Sequence, residues 1–180
     1  MRTPTLASFL VLTILGLAAS PAVAQEKTFT HVGVMACAKC HKTEKIGNQF
    51  GVWEGTKHAK AYEALTTPVA DSIATAKGLT TKAAESRECL ECHTTGGPDS
   101  DTPKTEGVNC EACHGPGSGY RTLAIMKDKA KAVAAGLKVY ADAAEIEAQC
   151  RTCHNERSPT AKPFVFAERW AEVKHMRPVE

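Results

Sequence analysis

Asn109–Lys127, NCEACHGPGSGYRTLAIMK, is the stretch whose reading decides the fold. Cys110 and Cys113 stand three apart, and His114 follows at once. Two thiols at this spacing can each add to one vinyl group of a haem, forming two thioethers. The adjacent imidazole then lies under the ring and supplies the proximal nitrogen to iron. This is the attachment signature of c-type haem.

The same pattern occurs four times. The chain has 180 residues and eight cysteines, and all eight fall in C-x-x-C pairs: Cys37/Cys40, Cys89/Cys92, Cys110/Cys113 and Cys150/Cys153. Paired cysteines alone suit disulfides, zinc or a redox dithiol. None of these requires a histidine directly after each pair, yet His41, His93, His114 and His154 all stand there. The reading is four covalently bound haem c groups, with these histidines as proximal iron ligands.

Four macrocycles change the folding argument. The chain has only five Phe, three Tyr and two Trp, so a conventional core would be thin. The expected fold class is mainly α: a small multihaem cytochrome, with short helices and loops wrapped around four haems. Without haem little stable structure is expected, as in metal-coupled folding.

The N-terminus reads as a separate segment. Arg2, an apolar run from Leu6 to Ala19 and the Ala22-Val23-Ala24 site make a signal peptide over 1–24, leaving a tetrahaem domain at 25–180. Export to the periplasm, or out of the cytoplasm by another route, follows. No other apolar run reaches spanning length. The formal charge of +2, with no basic stripe, argues against nucleic acid as a partner.

Helices are expected at 59–65 (capped by Thr56), 69–77, 82–92, 123–137, 142–153 (with Asp142 and Glu145 as the capping pair) and 166–176. Residues 94–107 and 158–163 read as loops, and no strand pattern stands out. The second and third motifs begin 21 residues apart, at Cys89 and Cys110, so their haems are expected to be neighbours.

Seven histidines cannot supply four bis-histidine haems, which would need eight. At least one haem therefore takes another sixth ligand, stays open, or borrows a histidine from another molecule. The spare histidines are His31, His58 and His175. His58 and His175 are the candidate distal ligands, and His31 reads equally as a surface histidine. Met35, Met126 and Met176 are the candidate thioethers.

CAKCHK, WEGTKHAKAYEAL, CLECH, CEACHGPG, CRTCHN and the terminal EVKHM are together similar to the cytochrome c-554 family of tetrahaem cytochromes. The resemblance implies a mainly helical fold with haems stacked in close pairs. It implies His58 opposite His114 on the third haem, His175 opposite His154 on the fourth, and an open second haem on His93. The 158–164 loop would cover that open side. The family's distal histidine for the first haem lies shortly after its GPG and has no counterpart here. Met126 lies near that place and is taken as its substitute, paired with His41, the alternative being His31, from within the chain or from a neighbouring molecule; methionine ligation raises the potential.

The function expected is periplasmic electron transfer between redox partner proteins, either other cytochromes or a membrane quinol-linked donor. The alternatives are a small-molecule reductase, acting for example on nitric oxide, at the open second haem, and a subunit of a larger cytochrome assembly.

Overall fold

The computed structural model describes residues 28–175; the signal-peptide segment and Met176 lie outside them. Among the described residues the regular elements are all helical, without a strand, as expected of a small mainly-α cytochrome.

The first three attachment motifs lie on helices, and the fourth begins on one, with Cys150 near the end of Ala143–Arg151 and Cys153 and His154 in the turn that follows. α1 (Val34–His41) ends in the first motif and is followed by α2 (Gln49–Glu54). α3 (Pro68–Ala76) begins with Thr67 as N-cap, its side chain accepting from the Ala70 N–H, and with Pro68 at the first helical position. α4 (Arg87–His93) ends in the second motif, and α5 (Cys110–His114) is the third. α6 (Leu123–Met126) and α7 (Lys129–Ala134) follow, then α8 (Ala143–Arg151) and α9 (Phe166–Val173). On a helix, positions i, i+3 and i+4 share a face. The two sulfurs and the imidazole of a motif can therefore grip one flat group.

Four expected elements differ in detail. Residues 56–62 form turns, with a 3-10 turn at Glu63–Thr66 instead of a helix. The 82–92 helix splits into a 3-10 turn (Ala83–Glu85) and α4. The 123–137 helix breaks because the Asp128 side chain accepts from Lys131 N–H and caps a new helix, α7. α9 stops at Val173 with Lys174 extended, so His175 lies beyond the helix rather than on it. The Asp142 cap of α8 forms as expected, with Glu145 accepting in return from the Ala141 N–H.

The apolar core is small. Leu65, Ala70, Ala74, Ala83 and Leu90 form one buried cluster, edged by Tyr62, Leu79, Ala84 and Cys89. It packs α3 against the turns leading into α4. Outside it, Val34, Ala38, Tyr120 and Ala132 are the other buried apolar residues among those described.

Long-range hydrogen bonds position the motifs. Thr30 and Ser118 exchange bonds, Thr30 N–H to Ser118 Oγ at 2.9 Å and Ser118 N–H to Thr30 carbonyl at 3.2 Å. They tie the chain before α1 to the loop after α5. The bend after the third motif is made at Gly115, whose φ of +77° favours glycine. Tyr120 Oη donates to the Gly115 carbonyl at 2.7 Å and locks the bend.

Candidate haem centres

Two motif histidines are oriented by their Nδ1 atoms. His41 Nδ1 lies 3.1 Å from Gln49 Oε1, and His93 Nδ1 lies 2.7 Å from the Ala61 carbonyl. Both acceptors are oxygens, so Nδ1 carries the proton and Nε2 is left with its lone pair for a metal. Gln49 is itself held by a hydrogen bond that its side-chain NH2 donates to the Ile46 carbonyl.

The other two motif histidines each meet a second ring. His154 and His58 have ring centroids 6.0 Å apart, and His114 and His175 are 5.8 Å apart. A histidine nitrogen binds a metal at about 2 Å, and its ring centre lies about 1 Å further back. Two imidazoles on one metal therefore stand roughly 6 Å apart. Both pairs fit that geometry, and the eight cysteines are free of disulfides, so the donor set fits c-type haem.

The pairing corrects the one the resemblance implied. His58 faces His154, not His114, and His175 faces His114, not His154. The physical reason lies in the backbone around His58. The His58 carbonyl accepts from Val108 N–H at 3.0 Å, while the Ala61 carbonyl takes His93. Those bonds fix the 58–61 turn between the second motif and the entry to the third. At the end of the 158–164 loop, Phe164 stacks on His154 at 4.8 Å, beneath the Arg151 guanidinium.

Sulfur contacts give the order of the motifs in space. Cys37 faces Cys110 within hydrogen-bond reach, which pushes the Cys37 thiol up. Cys92 meets Cys153, and burial together with that neighbour pushes Cys92 up to about 11. Cys113 is pushed up to about 11 by burial and then by Cys150. Gln149 Nε2 donates to the Ala112 carbonyl at 3.2 Å, joining α8 to α5. Arg157 pairs with Glu91 at 3.0 Å, joining the fourth motif to the second. The spatial order is thus first, third, fourth, second. The second and third motifs do border one cleft, through Cys92, Val108 and Ala112. Their closest sulfur neighbours, however, come from the fourth and first motifs.

Cys40 differs from its motif partner Cys37 in exposure. It is exposed, and it takes no part in the sulfur contacts just described. The reason is its register on α1. That helix buries Val34 and Ala38, and Cys40 follows Ala38 by two residues, about 200° of helical turn. Cys40 therefore points away from the face that packs, whereas Cys37 stands beside that face and meets Cys110. Cys113 also keeps an exposed edge, but it has Cys150 for a neighbour. The first motif thus offers one enclosed thiol and one open to solvent.

Burial is the leading reason that His58, His114 and His154 are held below the ordinary imidazole value, with a nearby second histidine or arginine adding to it. The neutral ring that metal ligation needs is the favoured form. His31 lies against Gly96 and Ser100, just beyond the second motif. Met126 ends α6, half-buried, and Met35 is exposed on α1. Gln49, Glu111, Arg157 and the Phe164 stack were not singled out from the sequence. Their only signal was closeness to a motif.

Thiol pairs and imidazoles gathered at helix ends, with further imidazoles brought opposite, make a donor set of the kind that c-type cytochromes use to hold haem. The family described as cytochrome c554 and c-prime matches residues 36–115. Cytochrome c-554 of Nitrosomonas europaea is 29% identical over 141 residues, covering 68% of this chain and 56% of that protein. Over these stretches the chain is similar to that family and that protein, and it spans little more than half the length of the curated relative. No solved structure matches it.

Proposed function

We propose that the chain is an exported tetrahaem electron carrier that passes electrons between redox partner proteins. Cys37/Cys40, Cys89/Cys92, Cys110/Cys113 and Cys150/Cys153 attach the haems, and His41, His93, His114 and His154 are their proximal ligands. Cys40 is included on its place in the motif alone, one turn from Cys37 and next to His41. His175 completes the third haem and His58 the fourth. Met126 completes the first, and the second keeps an open position. The observation that carries this reading is the pair of imidazole couples at 6.0 and 5.8 Å, set within an unbroken series of motif contacts. Bis-histidine sites bind no substrate without losing a ligand, so they favour transfer over catalysis.

The test is haem stoichiometry together with carbon monoxide binding on the reduced holoprotein. Four haems per chain, one of them binding carbon monoxide, are expected. Fewer than four haems overturns the tetrahaem reading. Carbon monoxide on every haem overturns the ligand set. Reductive turnover of nitric oxide at the open haem would move the protein to the enzyme reading.

A further inference from the structure

Glu111 lies inside the third motif, between its two cysteines, and is 2% exposed. Its carboxylate accepts from Val32 N–H at 3.0 and 3.1 Å, Gly33 N–H at 2.9 Å and Gly117 N–H at 2.6 Å. Every one of these partners is a donor, so the group is the ionised, acceptor-only carboxylate. A second carboxylate lies close by. Glu106 Oε2 accepts from Val34 N–H at 2.8 Å and from Asn109 Nδ2 at 2.8 Å. No ion pair joins either glutamate among the described residues. Two negative charges therefore sit without a cation where the chain enters α1 and where Cys37 meets Cys110.

Their bonding makes them a clamp between the first and third motifs, and their charge gives them a second effect. Reduction adds one electron to a haem, and a nearby desolvated carboxylate opposes it. Net charge and surrounding dipoles are among the levers that set haem potentials. A unit charge roughly 10 Å from a redox centre, at an effective dielectric constant near 20, shifts a one-electron equilibrium on the order of tenfold. At the far junction an Arg157 guanidinium nitrogen lies 3.9 Å from Cys92 Sγ, and the charge there is paired, with Glu91 at 3.0 Å.

We propose that Glu111, seconded by Glu106, is a positioning residue that also holds the third haem at the lowest potential of the set. An electron arriving there leaves for a neighbour; the third iron is oxidised as the neighbour's is reduced, with no proton taken up. The proposal rests on the tetrahaem reading above, and haem stoichiometry tests that reading separately.

The experiment is spectroelectrochemical titration of the holoprotein at pH 7. Glu111→Gln keeps the shape and removes the charge, at the loss of the backbone bonds its NH2 cannot accept, whereas Glu111→Asp keeps the charge and also disturbs the clamp. In Glu111→Gln the lowest couple is expected to rise by about tenfold in its reduction equilibrium, equal to about 59 mV for a one-electron couple, while the others move less. Glu111→Asp is expected to leave that couple near its wild-type value. The His175→Ala background, in which the third haem becomes high-spin, identifies whose couple it is. An unmoved lowest couple, four couples moving together, or equal shifts in Gln and Asp overturns the proposal. Where Glu111→Gln loads no haem, Glu106→Gln carries the test; the same couple rises, and constancy there overturns the proposal.

Discussion

Replacing His58 with alanine asks the most of the ligand assignment. Its ring centroid lies 6.0 Å from that of His154, a separation that leaves room for one metal and little else. Burial, followed by the neighbouring His154, holds His58 below its ordinary pKa, so the ring is neutral and competent to ligate at pH 7. His58→Ala is expected to convert one haem, and one only, from low-spin to high-spin, raising carbon monoxide uptake by one per chain. The half-buried ring also packs, and its truncation is expected to cost about 1–2 kcal/mol, roughly half of a full core deletion. Urea titration of the ferric holoprotein measures that part.

The identity of the affected haem distinguishes the observed pairing from the one implied by family resemblance. Phe164 stacks on His154 at 4.8 Å. A second substitution, Phe164→Ala, is therefore expected to perturb the new high-spin resonances of His58→Ala and to leave those of His175→Ala almost unchanged. The double-mutant comparison isolates that coupling, since contacting residues interact and distant ones add. Perturbation of the His175→Ala signal instead, with none in His58→Ala, would refute the pairing.

Three further outcomes are expected. Gly107 has a φ of +59°, and a Cβ there would lie 2.5 Å from the His58 carbonyl oxygen; Gly107→Ala is expected to cost about 2–4 kcal/mol in urea titration and to raise the high-spin fraction of the same haem as His58→Ala. Burial, then the nearby Cys37, pushes the Tyr120 phenol above its ordinary 10.0. The neutral phenol's contribution is therefore complete below about pH 10 and is lost as pH rises beyond it. Tyr120→Phe, which loses its bonds to the His114 and Gly115 carbonyls, is expected to cost about 1 kcal/mol at pH 7 and to flatten the alkaline loss seen by circular dichroism. Met126→Ala is expected to abolish a far-red methionine–iron band and lower the first haem's potential; an unchanged ferric spectrum rules Met126 out.

What the sequence disclosed was the chemistry that is local. A C-x-x-C-H motif carries two thioether positions and a proximal ligand within five residues, so four candidate attachment motifs were legible without any fold. Capping was legible for the same reason, and Asp142 does cap α8. Which thiols the protein encloses was not legible: Cys37 and Cys40 are equivalent in the motif, yet only the second is exposed. Pairing was not legible either. His58 reaches His154 because its turn is held by Val108 and by His93, residues far along the chain. His175 reaches His114 from beyond a helix end that stops sooner than its apolar pattern suggests. Sequence distance showed only part of the neighbour set: the second motif borders one cleft with the third, and its sulfur also meets the fourth. Glu111 occupied a spacer position whose chemistry the motif leaves open.

The motif order in space bears on how the chain holds together. The buried cluster of Leu65, Ala70, Ala74, Ala83 and Leu90 lies wholly before the third motif. Beyond Asn109, only Glu111, Gly117, Tyr120 and Ala132 are buried among the described residues. α8 and α9 bury none of their residues, so apolar packing within the protein does little to hold the C-terminal third. What ties it in place are the bonds at the motifs: Gln149 to Ala112, Tyr140 to Cys113 and Arg157 to Glu91. Two of these are exposed, and exposed pairs contribute little by themselves. Cofactor attachment at Cys150 and Cys153, with ligation by His154 and His58, would then supply most of what orders this region. Folding and electron transfer would then depend on the same contacts: the junctions proposed to carry electrons from motif to motif would also fasten α8 to the rest.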